Sequence, residues 1–244
     1  MLSRASDRGG YGTGGVWKST NGGVDWIQTI PEEQGQYIPS LFLNGLAMDP
    51  TDHLHLVATV HITCTGPVEG GCLPETFDGG ETWHLLKGPD SGWAEGAGPI
   101  IVDKGHLLYA TRFGGLSLTT DDGKTWKKVA DSAYPSLYTA PDGTHYVTSN
   151  NGVLKSTDLL TWTALTGAGR TVPTAGGEKR FFVADQWSGS YFTASAIDPT
   201  EMQKVTNEGI PESAQGAPFL AYDDSHGVLY SSNFGGGLWR LVTQ

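Results

Sequence analysis

Only six arginines occur in the 244-residue chain, and three of them, Arg8, Arg112 and Arg170, stand in glycine-rich or polar stretches far apart in sequence. A guanidinium is a planar fork of donors that matches a carboxylate two bonds at a time, so three brought together would hold an acidic ligand. Trp93 and Trp187 supply flat apolar rings of the kind that stack on sugar faces. Asp7 and Asp185 are the pair that hydrolysis of a glycosidic bond would need, one as acid and one as base or nucleophile. Elimination beside a uronate carboxylate would instead use His61 or Tyr138 as base, with Arg112 or Arg170 neutralising charge. Gln215 and Asn233 add hydrogen-bonding groups for hydroxyls. With 26 acids against 15 bases, each arginine has a competing reading as a local ion pair.

What must position these groups is a repeat. Ser19-Thr-Asn-Gly-Gly-Val-Asp-Trp26, Thr76-Phe-Asp-Gly-Gly-Glu-Thr-Trp83, Thr119-Thr-Asp-Asp-Gly-Lys-Thr-Trp126 and Ser156-Thr-Asp-Leu-Leu-Thr-Trp162 share one pattern. A hydroxyl residue is followed two later by Asp or Asn, usually by Gly, and then by Trp. Each copy reads as a hairpin turn: the Asp or Asn folds back on following N–H groups and Gly supplies a positive φ. Before each copy runs a short strand with a glycine entry, such as Gly114 to Thr119, and before that an aromatic or β-branched strand, such as His106 to Thr111. A further strand, such as Leu43 to Met48, precedes these, and a degenerate copy spans Ser188 to Val205. Four strands per unit, about six times, without a helical period, predict an all-β fold: a β-propeller of four-stranded blades in one domain over residues 1–244.

The repeat resembles the Asp-box, or BNR, motif, Ser/Thr-x-Asp-x-Gly-x-Thr-Trp. Copies two and three match it fully, copy one has Asn21 and Asp25 in place of Asp and Thr, and copy four is one residue short. The resemblance implies that Asn21, Asp78, Asp121 and Asp158 are turn devices on the periphery, away from the ligand face. That face is expected where loops from second to third strand meet loops between blades; Asp7, Arg8, His61, Arg112, Asp185, Trp187 and Asn233 map to the former. Trp93, Tyr138, Arg170 and Gln215 map to the latter. The motif family includes sialidases, xyloglucan-type glucanases, propeller polysaccharide lyases, sortilin-type receptors and photosystem assembly factors. Tyr37-Ile-Pro39 lacks the arginine of the sialidase Arg-Ile-Pro element, while Ser6-Asp-Arg-Gly-Gly10 is faintly similar to an early xyloglucanase segment. The expected function is a carbohydrate-active propeller working on an acidic glycan, as hydrolase or lyase. The alternative is a non-catalytic module that binds glycan or protein.

The terminal repeats are incomplete. The first lacks its first strand and the last lacks its fourth, which predicts irregular terminal blades, a seven-bladed parent, or completion by another copy of the chain. A formal net charge of −11 argues against a nucleic-acid partner. No apolar run reaches membrane-spanning length, so no membrane insertion is expected. Cys64 and Cys72, the only cysteines, bracket a Gly/Pro loop and are expected to form a disulfide, which points to an extracellular or periplasmic setting. With His61 they lack a fourth ligand at zinc-like spacing, and no metal or cofactor is expected.

Overall fold

The computed structural model of the chain describes residues 2–4, 15–31, 35–38, 43–60, 64–68, 71–89, 98–111, 114–165, 174–185, 189–197, 202–205, 215–234 and 237–243. These are almost entirely strand and turn, grouped in two compact units, Met1–Asp131 and Ser132–Gln244.

The first unit holds three antiparallel sheets. The opening sheet has three strands, β1 (Leu2–Arg4), β2 (Gly15–Lys18) and β3 (Ile27–Gln28). The next two have four each: β4 (Leu43–Met48), β5 (Leu56–Val60), β6 (Cys72–Thr76) and β7 (His84–Lys87), then β8 (Gly98–Asp103), β9 (His106–Thr111), β10 (Gly115–Thr119) and β11 (Lys127–Ala130). The second unit repeats the plan. Its four-stranded sheets are β12 (Leu137–Thr139), β13 (His145–Ser149), β14 (Gly152–Ser156), β15 (Thr163–Ala164) and β16 (Thr174–Gly176), β17 (Arg180–Ala184), β18 (Tyr191–Ser195), β19 (Gln203–Lys204). It closes with a three-stranded sheet of β20 (Gln215–Asp223), β21 (Val228–Phe234) and β22 (Gly237–Val242). Every sheet is a meander in sequence order, and among the described residues the first and the last have three strands each.

Period-two alternation builds the core between sheets. Val57 and Ala58 are neighbours on β5 that point to opposite faces: Val57 packs with Leu73, Ile101 and Leu107, and Ala58 with Val16, Leu43 and Trp83. In the second unit Phe181 joins Tyr138, Tyr146 and Val153, while Phe182 joins Ala184, Tyr191 and Leu229. A strand sandwiched this way must be apolar at consecutive positions, which is why the second strands of the four-stranded sheets carry adjacent apolar pairs such as Val57-Ala58 and Phe181-Phe182.

The repeated octads share one turn chemistry. Thr76 Oγ1 donates to Asp78 Oδ1 at 2.8 Å and accepts from Gly80 N at 2.9 Å. Asp78 in turn accepts from Thr82 N at 2.9 Å and Thr82 Oγ1 at 2.6 Å. Thr119, Asp121, Gly123 and Thr125 repeat every one of these bonds. These bonds to Thr82 hold the Asp78 carboxyl well below the usual carboxylate range, and bonds to Thr125 do the same for Asp121. Copy one reverses the polarity: Asn21 Nδ2 donates to Asp25 Oδ2 at 2.8 Å, so the two departures from the pattern compensate each other. In copy four the shortened turn puts Leu159 at φ 61°, a left-handed conformation that glycine takes elsewhere.

Candidate functional site

The strand order sends the turn after each second strand to one end of its sheet. In the second unit, the segment leading into β12 docks at that same end. Tyr134 N donates to Thr148 O at 2.8 Å, Tyr134 Oη donates to Asn150 Oδ1 at 2.8 Å, and Asn150 N donates to Ser132 Oγ at 3.1 Å. The segment between sheets and the second-to-third-strand turn therefore meet here. The first unit shows the same meeting: Thr65 N donates to Tyr37 O at 3.0 Å. Gly66, at φ 81°, lies so close under the Tyr37 ring that any Cβ would collide with it. Cys64 and Cys72 form the expected disulfide across this loop, with Cα atoms 5.9 Å apart.

Three successive sheets of the second unit present a polar residue at this end, Asn150, Asp185 and Asn233. Asp185 closes its loop through Asp185 N to Ser190 O at 2.8 Å and Gly189 N to Asp185 O at 3.1 Å. The buried Asn233 accepts from Tyr191 Oη at 3.0 Å, and Tyr191 Oη also lies 2.7 Å from Ser231 Oγ. Ser136 Oγ and Thr174 Oγ1, 2.8 Å apart, join the residue just before β12 to the start of β16 in the next sheet. Tyr134, Tyr191 and Ser231 are thus part of this end, and the strand pattern alone marks Tyr191 and Ser231 only as ordinary strand residues.

Tyr138 is placed elsewhere. It is buried against Tyr146 and Phe181, and its phenol donates to Gly177 O in the β16–β17 turn, at the opposite end of β17 from Asp185. Burial, followed by the nearby Tyr146, pushes it up to about 12. A phenol so held is a poor proton acceptor at neutral pH. Gln215 lies on β20 opposite Phe234, near the Asn233 end of that sheet. Asp7, Arg8, His61, Trp93, Arg112, Arg170 and Trp187 lie outside the described residues.

One charged cluster has no signal in the sequence. Buried His55 bridges two buried carboxylates, with Nδ1 3.0 Å from Asp49 Oδ2 and Nε2 3.0 Å from Glu75 Oε1. Its ring stacks on Phe77, 4.5 Å between centroids. Burial by itself would lower the imidazole, but hydrogen bonds to Glu75 and Asp49 outweigh it and raise the pKa. Burial likewise works against the Asp49 carboxylate, and bonds from His55 and Thr51 overcome it and hold the pKa down. Both ring nitrogens face acceptors, so the doubly protonated imidazolium satisfies the site best.

No protein-family model matches the sequence, and no curated protein matches it. Solved structures share its fold. The GH74 xyloglucanase from Xanthomonas campestris is 17% identical with a TM-score of 0.64, over 89% of this chain and 39% of that one. An ancestral GH74 enzyme is 16% identical with a TM-score of 0.66, over 93% of this chain and 33% of that one. YCF48 bound to D1 peptide is 16% identical with a TM-score of 0.61, over 93% of this chain and 71% of that one. The chain thus spans about two fifths or less of these glycoside hydrolases. At such identities the likeness shows the fold alone: this is an all-β protein of the β-propeller class. Among the described residues no helix is long and apolar enough to cross a membrane.

Proposed function

We propose that this chain is a carbohydrate-active propeller that works on an acidic glycan from the end marked by Asn150, Asp185 and Asn233. The observation that carries the reading is the recurrence of a polar residue at that end in three successive sheets, beside the Tyr134–Asn150 docking of the segment between sheets. Sugar recognition needs such fixed donors and acceptors beside aromatic faces. The fold shared with xyloglucanases is consistent with this reading, and the repeated octads are read as Asp-boxes serving as turns.

In this reading Asp7 and Asp185 are the two carboxylates of hydrolysis, Arg8, Arg112 and Arg170 take the ligand's carboxylate, and Trp93 and Trp187 stack on its rings. The position of the Tyr138 phenol favours hydrolysis over an elimination that would use it as base, leaving His61 for that role. The Cys64–Cys72 disulfide supports an extracellular or periplasmic setting. Non-catalytic binding at the same end is the second reading, favoured by the mutual satisfaction of Tyr134 with Asn150 and Tyr191 with Asn233.

The test is a screen of the purified chain against uronate-containing and neutral polysaccharides, recording reducing ends, ultraviolet absorbance of unsaturated uronates and binding. New reducing ends without absorbance, lost in Asp185→Asn while binding persists, are expected. Absorbance would replace hydrolysis by elimination, and binding without turnover would establish the second reading. Neither binding nor turnover on any substrate would sink both.

A further inference from the structure

The residue just before the hydroxyl of each repeated octad occupies one recurring position, and three of the four copies settle it. Lys18 Nζ reaches Glu81 Oε1 of the next sheet's octad at 3.1 Å. Glu75 Oε1 meets His55 Nε2 at 3.0 Å, and Leu118 is simply buried. The fourth copy has Lys155, half-buried on β14, whose ammonium makes no ion pair among the described residues. This ammonium gives up hydration without gaining a counter-charge. Lys155 lines a cavity of about 450 Å³ within the second unit, a size suited to a small ligand. The register sets one wall of it. Tyr146, Lys155 and Thr163 stand directly opposite one another on β13, β14 and β15, so they share a face, and Thr157 joins them two residues along. Tyr146 packs on Phe181 of the β16–β19 sheet, and Ile197, just beyond β18, lines the cavity from that side. Thr157 and Thr163 are exposed hydroxyls.

At the turn end of the sheet, Asp142 and Asp158 line the same cavity. Asp158 Oδ1 accepts from Leu160 N at 2.8 Å and Thr161 N at 2.7 Å, and Asp142 Oδ1 accepts from Thr144 N at 2.9 Å. Each carboxylate is thereby fixed, with lone pairs to spare. The cavity is polarised: a cation on the body of the sheet, acceptors at its turn end and hydroxyls beside them. We propose that it binds an acidic sugar residue, a hexuronate, with the carboxylate on Lys155 and ring hydroxyls on Asp142, Asp158 and the threonines. A hexuronate carries its carboxylate on one side of the ring and hydroxyls across it, which matches that polarity. A compact inorganic anion would meet Lys155 but face both aspartates with its own charge, and a neutral hexose would leave the ammonium unpaired. The site lies at the opposite end of the β12–β15 sheet from Asn150, so it is a second hold on glycan, apart from the working end. It rests on the acidic-glycan reading above for its ligand class, and on the cavity for its place.

Titration of the isotopically labelled chain with glucuronate and galacturonate, and with glucose and galactose as neutral controls, tests this through amide chemical shifts. Concentrations up to about 50 mM cover the weak affinity of a single sugar ring. One of the uronates should shift the amides of Lys155, Thr157 and Thr163. It should bind about tenfold more tightly than its neutral counterpart, the factor that one charge-assisted pair supplies. Lys155→Gln should remove that factor and leave the neutral sugar unchanged, while Lys155→Arg should keep it. Thr163→Val, at an exposed strand position, should weaken both sugars, and the spectra themselves report that each variant is folded. Uronate shifts confined to Asn150, Asp185 and Asn233 and indifferent to Lys155→Gln would overturn this site while upholding the proposed function. Lys155-dependent shifts without turnover of any polysaccharide would uphold the site and count against the enzyme. No uronate shift anywhere would overturn both the site and the acidic-ligand reading.

Discussion

At the scale of single residues, the hydrogen-bonded imidazolium gives the sharpest expectation. The folded-state pKa of His55 is raised above 6.5, so its contribution to stability is full below that pH and is lost as pH rises through the folded value. Asp49 has the opposite sign: its pKa lies below 3.8, so its contribution is full above that value and is lost as pH falls through the folded one. The gap in melting temperature between the parent protein and His55→Gln should therefore be widest between about pH 4 and 6.5 and narrow toward pH 9. A gap that grows with rising pH would contradict a charged His55. A second expectation concerns Asp122, exposed and held at φ 55°, where the copies one and two carry Gly22 and Gly79. Asp122→Gly should relieve left-handed strain and raise stability by about 0.5 kcal/mol, net of the glycine's greater freedom when unfolded, as read by urea titration.

At the scale of the element, the octad is a self-contained turn, and its two chemical versions predict each other. Asp78→Ala removes the acceptor of Thr82 N and Thr82 Oγ1, and the loss should be about 1–2 kcal/mol, the range for side chains that cap backbone N–H groups. Asp78→Asn alone should also destabilise, because the amide meets a threonine hydroxyl in place of the carboxylate that Asn21 finds in Asp25. Adding Thr82→Asp recreates the copy-one pair, and melting curves should show most of the loss restored. Such turns are legible in sequence because their bonds span two to four residues. Tyr138 shows the limit. Its place before a second strand suggested the loop end, but its phenol reaches Gly177, 39 residues away, where Gly176 leaves room for the ring. Side-chain reach across sheets decides that, and no local pattern records it.

At the scale of the whole molecule, a net charge of −11 makes copies of the chain repel one another at long range. By itself the sequence determined the repeated turns, the order of strands and the pairing of Cys64 with Cys72. All of these rest on period-two alternation, on turn residues or on partners at most eight residues apart. Only the tertiary structure decided that His55 lies between Asp49 and Glu75 and that Tyr138 turns away from the Asp185 end. Each depends on strand register or sheet packing that joins residues 20 to 40 positions apart, and chain-local chemistry does not encode those distances.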